Sequence, residues 1–98
     1  MAVLRWTPEA YEWLRAIHEY IAADNGGAAD RVVEGILARA RTLKTFPRLG
    51  QVCRSAAEGE IRLLLYGHYR IAYLLRGNDE VDVLGVFHGA MEMDNYLM

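Results

Sequence analysis

A chain of 98 residues, 53% of them apolar, supports one domain with a core about two layers thick and excludes a multidomain arrangement. The single cysteine, Cys53, excludes an internal disulfide and a cysteine-built zinc site, and it suits a reducing compartment. The net charge of −2 conceals an uneven distribution: residues 1–38 are net −3, residues 39–76 net +6, and residues 77–98 net −5 with no cation among them. Ten of the eleven cations are arginine, which suits bidentate contacts to phosphate or carboxylate, although a GC-rich coding bias gives the same count. No basic-then-apolar leader opens the chain and no run approaches the roughly 20 apolar residues of a membrane span, so a soluble, cytoplasmic protein with no membrane partner is expected.

Residues 2–6 form a short apolar run around Val3 and Leu4, an expected first strand. Thr7-Pro8-Glu9 then reads as a helix start, with Thr7 as N-cap, proline at the first helical position and an acidic group at the positive end of the dipole. Trp6 and Tyr11 occupy the two positions of a hydrophobic staple. Ala10, Trp13, Leu14, Ile17 and Ile21 recur at helical spacing, and the helix is expected to stop at Asn25-Gly26-Gly27, where glycine can adopt a left-handed terminal conformation. A second helix is expected over 28–45, with Ala29, Val32, Val33, Ile36, Leu37, Ala40 and Leu43 on one face and Pro47 ending it. Gly35 within it permits close approach of a neighbour. The short link predicts an antiparallel helical hairpin.

After Gln51 the period changes. Segments 61–65, 69–75 and 81–87 are β-branched or aromatic, and Tyr66-Gly67-His68 and Arg76-Gly77-Asn78-Asp79 between them are turn chemistry. The expected fold is α+β, a single domain over 1–98 in the order β-α-α-β-β-β, with an antiparallel sheet packed against the helical hairpin. Residues 89–98 are expected as a terminal helical turn or a tail.

These pieces resemble the ParE/RelE superfamily, the toxins of type II toxin–antitoxin, or plasmid stabilisation, systems, and they lie nearer its ParE branch. The resemblance is carried by Leu43-x-x-Phe46-Pro47-x-x-Gly50 closing the second helix, by Arg62-x-Leu64 and Tyr69-Arg70-Ile71-Ala72-Tyr73, and by Val83-Leu84-Gly85-Val86-Phe87-His88. It implies a toxin neutralised by a small cognate antitoxin encoded beside it, in a hetero-oligomeric complex. The ParE branch inhibits DNA gyrase and has no established catalytic residues. The RelE branch is an endonuclease that cleaves mRNA on the ribosome.

Metal-free RNA cleavage needs a base, an acid and a cation for the developing phosphorane charge. By the resemblance, Arg70 is the candidate cation, His88 the candidate acid or base, and Tyr96 a candidate for stacking or proton transfer. Each also has a structural reading: Arg70 lying over tyrosine neighbours, His88 bonded to the turn, Tyr96 anchoring the tail. His18 and His68 read as plain surface residues. Histidines at 18, 68 and 88 lack ligand spacing, so no metal and no cofactor are expected.

Several features oppose a nuclease. Met91 stands where many relatives carry Arg or Lys, Lys44 is the only lysine, and the acidic end of the chain weakens RNA affinity. Arg62 is a candidate for binding a partner, or for pairing with Glu60 or an acidic residue of the tail. Trp6, Trp13, Tyr11 and Tyr20 are too many to bury in one small core, so Trp13 and Tyr20 are candidates for an antitoxin or target surface along the hairpin. The expected activity is therefore binding, first to an antitoxin and then to DNA gyrase. The alternatives are a ribosome-dependent mRNA endonuclease and a decayed toxin that retains only antitoxin binding.

Overall fold

The computed structural model describes residues 1–89. Strand β1 (Val3–Trp6) leads into helix α1 (Pro8–Ala22), helix α2 (Gly26–Arg41) and a 3-10 turn at Thr42–Lys44. Four strands follow: β2 (Gln51–Ala56), β3 (Gly59–Tyr66), β4 (Tyr69–Arg76) and β5 (Glu80–His88). They form one sheet in the order β1-β5-β4-β3-β2, so the meander from β2 to β5 is antiparallel while β1 joins β5 in parallel.

The start of α1 follows its sequence. The Thr7 hydroxyl accepts the Ala10 N–H at 3.1 Å and donates to the Val83 carbonyl oxygen at 2.8 Å, so one side chain caps the helix and ties it to β5. Trp6 and Tyr11 stack with ring centroids 5.7 Å apart. The hairpin link differs from expectation. Gly26 and Gly27 do not end α1 in a left-handed conformation; Asn25 caps α2 by accepting the Ala28 N–H at 3.0 Å, and both glycines are the first residues of that helix. An Asn side chain that satisfies a free helical N–H outweighs the glycine signal here.

The core lies between the hairpin and the sheet. Ile36 and Leu43 meet Ile71, Tyr73, Leu75, Val81, Val83 and Val86, all fully buried. Gly35 allows Tyr66 to lie across α2, because a Cβ at that position would collide with the Tyr66 ring.

Strand β2 is absent from the expected element order. Its burial comes almost entirely from Arg54, and Cys53 is the extra residue of a bulge against β3. Gln-Val-Cys-Arg-Ser-Ala thus forms a strand through its ladder with β3 and not through an apolar face, so no alternation marks it. β1 accompanies β5 only as far as Val83; α1 also packs against β5, where Trp13 meets Phe87 at 4.7 Å between centroids.

Candidate functional site

The residues singled out by sequence fall into three places. The first is an apolar groove of about 390 Å³ between α1 and the far ends of β4 and β5. Trp13, Ala16, Ile17 and Tyr20 supply one wall at steps of three and four along α1, and Tyr69, Val86 and His88 supply the other. Tyr20 is 84% exposed, an aromatic ring held in water beside an apolar hollow. Trp13 and Tyr20 therefore share one surface, at the seam of α1 with the sheet rather than along the outside of the hairpin.

The second place is the end of the sheet at the β3–β4 turn. The Tyr69 ring meets His88 edge-on with centroids 5.7 Å apart, and His68 stacks on His88 at 6.2 Å. The Gly89 N–H donates to the His68 carbonyl oxygen at 2.7 Å, closing the turn region onto the end of β5. Sequence reasoning passed over both neighbours of His88. His68 reads as a surface histidine and Tyr69 as one strand aromatic among several; only the register, which sets Tyr69 opposite His88, brings them together.

That register also separates the two nuclease candidates within the described residues. Cα partners across an antiparallel pair share a face, and successive residues alternate. Tyr69 pairs with His88, whereas Arg70 pairs with Phe87 and with Leu65 of β3. Arg70 and His88 thus leave the sheet on opposite faces, although both border a hollow of about 480 Å³ at its end. Among the described residues Arg70 makes no hydrogen bond or ion pair. Tyr96 and Met91 lie outside the described residues.

The third place is internal, and of the two readings open for Arg62 it holds the pairing with Glu60. Arg62 is 9% exposed on the helix-facing side of β3. Its Nη1 donates to the carbonyl oxygens of Arg48 and Gly50 at 3.0 and 2.6 Å, and its Nη2 lies 2.8 Å from the Glu60 carboxylate. Beside it, the Tyr73 hydroxyl donates to the Pro47 carbonyl oxygen at 2.7 Å and accepts the Gly50 N–H at 3.0 Å. Burial pushes the Tyr73 phenol above its ordinary range, opposed by the Gly50 N–H and the Arg62 charge. A Cβ at Gly50 would meet the Leu63 carbonyl oxygen at 2.7 Å and the Tyr73 ring at 2.8 Å. The Phe46-Pro47-x-x-Gly50 motif is therefore the loop that Tyr73 and Arg62 clamp, through Pro47, Arg48 and Gly50.

At the opposite end of the sheet Arg5 and Arg76 both pair with Asp82, at 3.0 and 2.8 Å, and both lie near Glu80. This cluster fastens β1 to β5 and absorbs two acidic groups and two of the arginines. His18 is also engaged, 2.8 Å from Asp30, bridging α1 and α2. Among the described residues no three His, Cys, Asp or Glu side chains gather as a metal site would require, and no helix is long and apolar enough to cross a membrane.

No curated protein matches the chain. A solved structure of the chromosomal ParDE TA system from P. aeruginosa is similar to it at 23% identity and a TM-score of 0.73, over 90% of this chain and 96% of that one. At that identity the likeness concerns the fold: two helices and a five-stranded sheet. The family described as the ParE toxin of type II toxin–antitoxin system, parDE, matches residues 4–93. With all but a few terminal residues inside that match, the chain belongs to the ParE toxin family.

Proposed function

We propose that this toxin works by binding: a cognate antitoxin neutralises it in the cytoplasm, and its cellular target is DNA gyrase. The observation that carries this reading is the divergence of Arg70 and His88 on opposite faces of the β4–β5 pair. General acid–base cleavage of RNA requires its groups to converge within hydrogen-bond reach of one phosphate. The apolar groove of Trp13, Ile17, Tyr20 and Tyr69 supports a protein partner, since exposed aromatic rings beside an apolar hollow are the usual anchors of such interfaces.

Co-expression with the product of the neighbouring small reading frame tests the first half. A stable complex and loss of host toxicity are expected; a toxic chain that forms no complex with that product would sink it. The mRNA endonuclease is the second reading, favoured by the hollow that Arg70, His68 and His88 all border. It requires ribosome-dependent cleavage that is lost in Arg70→Ala.

A further inference from the structure

Strand β2 begins at Gln51, opposite Leu63, so among the described residues no strand lies on the outer side of β3 from Leu64 onward. Arg39, in the last turn of α2, reaches this gap and donates from Nε to the Leu65 carbonyl oxygen at 3.1 Å. Beside that bond lies a hollow of about 440 Å³ lined by Arg39, Arg70, Leu49, Gln51, Leu63 and Leu65. Leu49 and Leu65 are 44% and 61% exposed. Among the described residues, neither Arg39 nor Arg70 has a carboxylate partner, and no acidic side chain lines the hollow. Elsewhere on the same sheet arginines are paired: Arg5 and Arg76 with Asp82, and Arg62 with Glu60.

The contents of the hollow define its occupant. Two guanidinium groups with no carboxylate partner among the described residues, set beside leucines, fit a carboxylate carried next to an aliphatic side chain. Among the described residues no aromatic ring lines the hollow, so its walls offer the bases of single-stranded RNA no stacking partner. The outward side of β3 beyond Leu63, with no neighbouring strand among the described residues, offers an extended backbone a lane to lie in. We propose that this hollow is a second peptide site, separate from the aromatic groove, and that it takes an extended segment of the antitoxin in which Asp or Glu lies one or two residues from Leu, Ile or Val. The occupant's identity rests on the antitoxin reading; the chemistry of the site does not.

The test is selection of phage-displayed linear peptides on the immobilised full-length chain, with counter-selection on an Arg39→Gln/Arg70→Ala double variant of unchanged melting temperature. Enriched peptides are expected to pair an acidic residue with a nearby aliphatic one. They should bind the wild-type chain at least about tenfold more tightly than the double variant by fluorescence anisotropy, with an affinity that falls as salt rises. Arg70→Glu, which leaves the Arg39–Leu65 bond in place, should shift enrichment towards Lys and Arg. Peptides that bind both chains equally, or no enrichment, overturn the site; so does tighter arginine-dependent binding of a single-stranded RNA oligonucleotide than of any selected peptide. An antitoxin that binds wild type and double variant equally overturns the site while the antitoxin reading stands. Arginine-dependent acidic peptides selected for a chain that forms no antitoxin complex support the site and overturn that reading instead.

Discussion

Arg70 and His88 project from opposite faces of the β4–β5 ladder, because Arg70 is paired with Phe87 and His88 with Tyr69. Cleavage at a single phosphate would require the two to reach it around the end of the sheet, where both border one hollow. The arginine instead faces Leu65 beside Arg39, and the histidine closes an aromatic groove with Trp13 and Tyr20.

If the toxin acts by binding, Arg70→Ala is expected to leave host toxicity within about twofold of wild type, since the side chain makes no hydrogen bond or ion pair among the described residues. Growth arrest on induction of the isolated toxin, at matched expression, measures this. A folded Arg70→Ala chain that has lost toxicity by orders of magnitude would favour the endonuclease.

Tyr20→Ala should cost little stability, because the ring is 84% exposed, and should weaken the antitoxin complex by about 1–2 kcal/mol. Calorimetric titration reads the loss directly. An unchanged affinity would remove the groove from the interface.

Tyr73→Phe keeps the ring and deletes the hydroxyl, leaving the Gly50 N–H without its partner and the Pro47 carbonyl oxygen without its donor. The expected cost is about 1–3 kcal/mol at neutral pH, measured by denaturant unfolding. The loss should shrink in alkali. Burial raises the folded-state pKa, so above pH about 10 the unfolded chain releases this proton while the folded chain retains it. The Tyr73 contribution is thus complete below the unfolded pKa and disappears as pH rises through the folded one. A Tyr73→Phe deficit that stays constant into alkali would contradict this.

Arg62→Met should destabilise by about 1–3 kcal/mol, chiefly through the two backbone carbonyls that Nη1 bonds; half-exposed Glu60 is left to water. Antitoxin affinity of the folded variant should be unchanged, because the guanidinium faces the interior. A stable variant with a weakened complex would restore Arg62 to the interface.

Much of the fold is legible in the residues. The Thr7 cap, the Trp6–Tyr11 stack and the periodic faces of α1 and α2 follow from local chemistry and burial. Strand β2 is not legible, because an exposed edge strand has no apolar face to alternate. The parallel placement of β1 beside β5 is equally hidden, since it joins the two ends of the described chain and leaves no local mark. The site was readable as a residue inventory but not as a geometry. Trp13 and Tyr20 share a groove because of helical spacing, which sequence shows. Arg62 turns inward because the 48–50 loop presents carbonyls to it, and Arg70 parts from His88 because of strand register. Both are long-range facts.

The most direct test of the central claim is a gyrase assay on relaxed and supercoiled plasmid with the purified toxin, scoring inhibition of supercoiling and trapped, cleaved DNA together, with Arg70→Ala in parallel. Inhibition with accumulation of cleaved DNA is expected from both proteins. No effect at stoichiometric excess of folded toxin, accompanied by ribosome-dependent mRNA cleavage that Arg70→Ala abolishes, would contradict it.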